Sequence, residues 1–282
     1  MLVGVHVSAA GGIQNAPANA KKTGCEVFQV FSRPPQGGPA RPITAEVIKD
    51  FNLAMKKNDQ AEFYIHTPYY INLASTTPRI RYGSISVIRD ELERGSLLGA
   101  KYVMTHLGSA KDLSRKEAVT KVSHGIIRIL DKYKGTTMLL IENSAGSGNV
   151  IGDQFEEIRD IINDLPSAAQ KFVGVCLDTC HAFSSNYDLR DKKSLDETLK
   201  KFDQLIGLER LKLIHLNDSK NDLGAKVDRH EHIGQGKIGL EAFRILVHHP
   251  KLKKTNLILE TPEDERGEQK DDLNIIKKLR DS

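Results

Sequence analysis

The chain has 282 residues, 39% of them apolar and 28% charged, and a net charge of +4 at pH 7. That balance suits a globular protein with a large core and excludes a disordered polyelectrolyte; no apolar run approaches membrane-spanning length. The small positive charge favours a polyanionic partner only weakly, because the local distribution of charge matters more than its sum.

In chain order, short β-type runs fall at residues 2–6, 26–31, 62–66, 101–106, 137–142, 173–178, 211–215 and 256–260. The segments between them read as helices. Apolar spacing predicts helices over 44–58, 84–98, 239–248 and 271–280. Ser114-x-x-Glu117 and Ser194-x-x-Glu197 have the form of capping boxes, the second helix closing near Gly207. Asp153 is expected to open a helix that Pro166 stops. Strand and helix alternating eight times predict an α/β fold, a (β/α)8 TIM barrel forming one domain over 1–282; a doubly wound open sheet is the alternative. An open sheet binds ligands only near its switch point, whereas polar residues close almost every strand here. Residues 33–42 and 67–83 are irregular and are expected as loops on the catalytic face, 217–237 as a third long insertion, and 263–270 as a solvated charged run.

The strand ends carry the chemistry. In residues 173–178, alternation turns Gly174, Cys176 and Asp178 one way and Val173, Val175 and Leu177 the other. An apolar strand that stops on Asp178-x-x-His181 is costly to bury unless a metal or another cation binds there. The same pattern recurs at His66, His106, Glu142, His215 and Glu260, and Asp228-x-His230 in the loop after the seventh strand forms a further chelating pair. Five imidazoles and four carboxylates, with no thiolate required, suit Zn²⁺ or Mn²⁺, and nine ligands are enough for two or three ions sharing a carboxylate. His6 fits a supporting partner of a ligand, His124 and the His248-His249 pair lie on helices, and His232 competes with His230 for one role. Gly11-Gly12 and Gly234-x-Gly236 permit close approach of backbone to a phosphate. Tyr69 and Tyr70 stand on the mouth, where they either stack on a nucleotide or pack within their loop.

Cys25, Cys176 and Cys180 are odd in number and lack a second closely spaced pair, so buried thiols in a reducing compartment are expected. The chain opens directly into Leu2-Val3-Gly4-Val5 without a basic lead, so no secretory signal is expected. A cytoplasmic protein is expected, nuclear in a cell with a nucleus.

Together these residues resemble the endonuclease IV family of apurinic/apyrimidinic (AP) endonucleases. The motifs that carry the resemblance are His6-Val7-Ser8-Ala9-Ala10-Gly11-Gly12, His66-x-x-Tyr69-x-Ile71-Asn72-Leu73 and His106-Leu107-Gly108-Ser109. They continue with Ile141-Glu142-Asn143, Leu177-Asp178-Thr179-Cys180-His181 and His215-Leu216-Asn217-Asp218-Ser219, then Asp228-Arg229-His230-Glu231-x-Ile233-Gly234-x-Gly236 and Leu259-Glu260-Thr261-Pro262. The resemblance spans nearly the whole chain. It implies a TIM barrel with three Zn²⁺ ions, Mn²⁺ being possible at one site. His66, His106 and Glu142 would hold the first ion. Glu142, Asp178, His215 and Glu260 would hold the second, and His181, Asp228 and His230 the third. It further implies duplex DNA containing abasic sites as substrate, and a metal-activated hydroxide that attacks the phosphorus 5′ to the lesion. Glu142 would orient that nucleophile, and the products would be a 3′-hydroxyl and a 5′-deoxyribose phosphate. No protein partner is implied, and a monomer is expected.

One segment departs from the family. After the second strand, family members carry an Asn/Pro-rich loop with an Arg or Gln and a Trp that enter the DNA stack; here it reads Phe31-Ser32-Arg33-Pro34-Pro35-Gln36-Gly37-Gly38, and the protein has no Trp. Gln36 is the positional match, with Tyr69 and Tyr70 as further DNA-contact candidates. The competing reading is a sugar isomerase or epimerase of the same superfamily, which needs one divalent ion and only the Glu142, Asp178, His215 and Glu260 subset.

Overall fold

The computed structural model describes residues 1–282. The barrel strands are β1 (Val3–Val5), β2 (Phe28–Val30), β3 (Phe63–His66), β4 (Tyr102–Thr105), β5 (Met138–Glu142), β6 (Val173–Asp178), β7 (Leu211–His215) and β10 (Asn256–Leu259). They form one parallel sheet in the order β1-β10-β7-β6-β5-β4-β3-β2. The remaining seam is closed by a parallel bridge between His6 and Gln29, with the Val7 N–H donating to the Gln29 carbonyl at 2.8 Å. The expected barrel, rather than an open sheet, is therefore the fold. At this seam the strands are pinched: a Cβ on Gly4 would lie 1.6 Å from the Val27 carbonyl oxygen, so only glycine fits.

Side-chain alternation sorts the core into two parts. Val173, Val175 and Leu177 join the large cluster between sheet and helices, while Cys176 joins Val27, Tyr64, Met104, Leu140, Leu213 and Ile258 on the barrel floor. The expected facing of the sixth strand holds. All three cysteines are free and buried.

The helices are α1 (Ala16–Thr23), α2 (Ala45–Lys57), α3 (Pro78–Leu98), α4 (Arg115–Leu130), α5 (Phe155–Asn163), α6 (Ser167–Gln170), α7 (Thr179–Ser184), α8 (Lys192–Leu205), α9 (Leu240–His248) and α10 (Gln269–Asp281). Several starts differ from the sequence reading. The Ser114–Glu117 capping box is present. The expected box at Ser194 is not: Asp191 caps α8 and accepts from the Ser194 N–H at 2.9 Å, starting the helix earlier. Asp153 lies before α5, whose N-cap is Gln154, because its carboxylate pairs with Arg115 instead. α3 begins at Pro78, six residues before the expected Ser84, since Ile80 and Tyr82 project into solvent and show no buried stripe. α1, α6 and α7 lie outside the predicted helices. Within 217–237 the short strands β8 (Asp218–Ser219) and β9 (His230–Glu231) pair antiparallel. No helix is long and apolar enough to cross a membrane.

Candidate metal centre

The strand ends converge on one buried carboxylate. Glu142, fully buried at the end of β5, directs its two oxygens at different imidazoles. Oε2 lies 3.0 Å from His66 Nε2 and 3.7 Å from His106 Nε2. Oε1 lies 3.0 Å from His215 Nδ1 and 3.5 Å from His181 Nδ1. Glu260 Oε2 reaches the same His215 Nδ1 at 3.2 Å.

α7 explains the Asp178-x-x-His181 spacing. Asp178 ends β6 and caps α7, its Oδ1 accepting from the His181 N–H at 2.7 Å. One turn of helix then turns His181 back over the mouth. There Asp228 Oδ1 lies 3.2 Å from His181 Nε2 and 3.4 Å from His230 Nε2, and Asp178 Oδ2 lies 3.7 Å from His230 Nε2.

The ring nitrogens are arranged for coordination. His66 Nδ1 donates to the Thr67 carbonyl at 2.7 Å, His181 Nδ1 to the Asn143 carbonyl at 2.9 Å, and His230 Nδ1 to the Glu260 carbonyl at 3.0 Å. A ring that donates from Nδ1 presents a lone pair at Nε2, as metal-binding histidines do. The Nε2 atoms of His181 and His230 are buried and make no hydrogen bond at all. Every ion-pair partner of Glu142, Asp178, Asp228 and Glu260 within 4 Å is an imidazole rather than a Lys or Arg. Buried carboxylates whose partners are titratable imidazoles rather than a permanent cation fit divalent ions, which would displace the protons those imidazoles carry.

Ligand atoms close enough to share an ion fall into sets: His66, His106 and Glu142; Glu142, Asp178, His215 and Glu260; and Asp178, His181 and His230, with Asp228 also beside the last two. The first two sets match the expected ones. In the third, Asp178 stands with the two imidazoles as well as Asp228. Cys180 also comes within range of Asp228 and His230, but burial pushes its thiol up and it donates to the Arg229 carbonyl at 3.6 Å.

Charge is balanced by protons when no ion is bound. Burial lowers the affinity of His181 for a proton, but Asp178, Asp228 and Glu142 outweigh it and push the imidazole up to about 10. Burial raises Asp228, and His181 and His230 outweigh that, holding it down at about 2. Ions must displace such protons, so loading weakens as pH falls.

Three residues without an assigned role orient the candidate ligands. Gln29 donates to Glu260 Oε1 at 2.6 Å, and its own oxygen lies 2.8 Å from His215 Nε2. Asn143 accepts from the Asp178 N–H at 2.7 Å, and Asn217 donates to Asp178 Oδ2 at 2.6 Å while accepting from the Glu260 N–H at 2.8 Å. A polar residue in the middle of the apolar run Phe28-Gln29-Val30 is the available signal for the first. His6 supports the site as expected, 2.9 Å from Gln29 Nε2 and 3.8 Å from Glu260. His232 is not a competitor of His230: it is held between Asp272 and Asp264, at 2.8 and 3.2 Å.

Two phosphate expectations change. The Gly234 and Gly236 amides do not face outward; both donate to Asp218 Oδ2 at 3.0 Å, so the glycine turn wraps the chain's own carboxylate. The Gly12 N–H closes a turn onto the Ala9 carbonyl at 3.0 Å. On the rim, Gln36 is exposed, Tyr69 is 68% exposed and Tyr70 40%. Tyr69 meets Phe31 edge-on at 5.2 Å, and Phe31 in turn lies against His6 and His66.

A family model described as a xylose isomerase-like TIM barrel matches residues 17–279. A probable endonuclease 4 of Chloroflexus aggregans is 38% identical over 278 residues, covering 98% of this chain and 96% of that protein. One from Halothermothrix orenii is 39% identical over 280 residues, covering 99% of each. The crystal structure of endonuclease IV from Thermus thermophilus superposes with a TM-score of 0.87 at 32% identity, covering 100% of this chain and 99% of that one. A D-tagatose 3-epimerase-like protein shares the fold, with a TM-score of 0.71 at 20% identity over 99% and 95% of the two chains.

Proposed function

The chain belongs to the endonuclease IV family of AP endonucleases, and we propose that it hydrolyses the phosphodiester bond 5′ to an abasic site in duplex DNA. The products are a 3′-hydroxyl and a 5′-deoxyribose phosphate. The observation that carries this reading is Glu142, with its two oxygens aimed at separate imidazole groups in a site that has more ligand atoms than one ion can use. A single-ion sugar isomerase has no use for His66, His106, His181 and His230, and the Nε2 atoms of His181 and His230 are buried without a hydrogen-bond partner.

We assign the nine residues His66, His106, Glu142, Asp178, His181, His215, Asp228, His230 and Glu260 to three divalent ions; the balance of imidazole and carboxylate suits Zn²⁺ or Mn²⁺, and the family resemblance implies Zn²⁺, with Mn²⁺ possible at one site. Ions bound there supply a nucleophilic water at neutral pH and neutralise charge on the phosphate. The chain's own residues do the rest. Glu142 accepts a hydrogen bond from the attacking water and aims it in line with the scissile bond. Asn143 and Asn217 hold Asp178, and Gln29 locks His215 and Glu260, so the ligand atoms are in place before DNA arrives. One chain carries the whole set, so we assign a monomer. The buried free cysteines suit a reducing compartment that holds DNA, the cytoplasm or a nucleus.

The test is cleavage of a duplex carrying one abasic site. A 3′ end that a polymerase extends, lost with a chelator and restored by zinc, supports the reading. An unsaturated aldehyde at that end indicates amine-driven elimination and sinks it.

Two substitutions probe the parts. Asp228→Ala is expected to cost about one metal equivalent while leaving the two sets that share Glu142 loaded; elemental analysis of the variant checks this. Tyr69, Tyr70 and Gln36 are assigned to the gap that the missing base leaves, since an abasic sugar is cheap to extrude and a wedge can hold the kink. Tyr69→Ala should weaken binding to abasic duplex about tenfold or more, with little change on undamaged duplex. Equal losses on both would make Tyr69 a general backbone contact.

A further inference from the structure

The loop after β2 is tied at its neck by a buried guanidinium. Arg94, on the inner face of α3 with its side chain 7% exposed, donates from Nη2 to the Ser32 carbonyl at 2.7 Å and from Nη1 to the Arg41 carbonyl at 2.8 Å. Its Nε donates to Ser32 Oγ at 2.8 Å. One planar fork thus joins the two ends of the 32–41 segment, which a flexible ammonium could not do. Beside it Glu91, fully buried on the same helix, accepts from Ser32 Oγ at 2.6 Å and pairs with Arg33. Arg41 carries the tie onward, donating to the Gly11 carbonyl at 3.0 Å in the β1 loop.

Burying these charges costs more than an apolar helix–loop contact would. What they add is direction, because each hydrogen bond fixes where the loop leaves and re-enters the barrel. The tip they hold is Gln36-Gly37-Gly38. A Cβ on Gly37 would lie 3.9 Å from Tyr70 Cε1, so the tip lies beside the second proposed DNA-contact segment. Behind the tied loop is a cavity of about 600 Å³, lined in part by Ile13, Phe31, Pro39, Ile43 and Val47, into which an untied loop could fall.

We propose that Arg94 is a positioning residue for lesion recognition: by clasping the neck of the 32–41 loop to α3, it presets Gln36 and Tyr70 for the abasic gap, so the loop is not ordered at the expense of binding. The proposal rests on the AP-endonuclease reading above. Ordering a few interface side chains in advance is worth about tenfold in affinity.

Arg94→Lys keeps the charge but cannot span both carbonyls. It should raise KM on abasic duplex about tenfold, leave kcat within about twofold, and leave metal content unchanged. Amide exchange over residues 33–40 should quicken. The double variant Glu91→Gln/Arg94→Met removes the two buried α3 charges and leaves the Arg33 guanidinium paired with Asp90; it should remain folded and show the same KM defect. In a Gln36→Ala background Arg94→Lys should add little, because both act through the same tip. The proposal is overturned by an unchanged KM in either folded variant, by a loss carried in kcat and metal content, or by additivity with Gln36→Ala. A wild-type protein that fails to incise abasic duplex takes the function and this proposal down together, whereas normal wild-type incision with unaffected variants sinks only the clasp.

Discussion

Glu142→Gln should lower incision of abasic duplex by about 10³-fold or more while the protein stays folded. Glutamine keeps the volume and one acceptor oxygen, but it cannot present a negative oxygen to both imidazole groups. His66 and His215 each lie 3.0 Å from a different Glu142 oxygen, so one substitution strikes two of the ligand sets together. Loss of a supporting partner alone commonly costs about 10–100-fold in metal affinity, and Glu142 is itself a proposed ligand in both sets. Steady-state incision and metal content on one preparation check this. A variant with near-normal rate would mean that Glu142 is a structural carboxylate and that the site is organised around another residue.

Asp218→Asn should destabilise the fold by about 3 kcal/mol, a fall in Tm of roughly 6–12 °C. Asp218 is fully buried and accepts five backbone N–H groups. Ser219 and Ile238 donate to Oδ1 at 2.8 and 2.9 Å; Gly234, Gly236 and Gly239 donate to Oδ2 at 3.0, 3.0 and 3.3 Å. An asparagine NH2 accepts nothing, so whichever way the amide turns, at least two buried donors lose their partner and face another donor. A Cβ on Gly236 would lie 2.5 Å from Asp218 Oδ1, so the turn has no slack to rearrange. Because His230 pairs with Ser219 across β8 and β9, loosening this turn should also weaken the metal set that contains His181 and His230. Thermal unfolding with elemental analysis reads both effects. An unchanged Tm would show that the segment is ordered from elsewhere.

The convergence of the proposed ligands is legible in the sequence because each breaks a local rule: a carboxylate or imidazole ends an apolar strand where burial would otherwise be penalised. What supports them is harder to read. Gln29 looks like one polar residue in a short strand, and only barrel closure shows that it faces inward between His215 and Glu260. Asn143 and Asn217 sit beside ligands in the sequence, yet their partners come from other strands. The Gly234-x-Gly236 turn reads as a phosphate cradle because an outward-turned amide looks the same whichever anion it receives; here the anion is Asp218. Asp191 and Ser194 both satisfy a helix-start pattern, and the carboxylate that reaches the Ser194 N–H takes the cap. Glu91 and Arg94 follow an ordinary helical spacing, which carries no sign that this pair of charges is buried against a loop.

On the function proposed above, several ions rather than one make this barrel a phosphodiester hydrolase. The most direct test of this is to strip the protein with a chelator, restore zinc in steps, and measure bound metal and abasic-site incision on the same samples. Incision should be weak at one equivalent and reach its full rate only as bound metal approaches three per chain. Full incision at a single equivalent, or a content that never exceeds one, would contradict it.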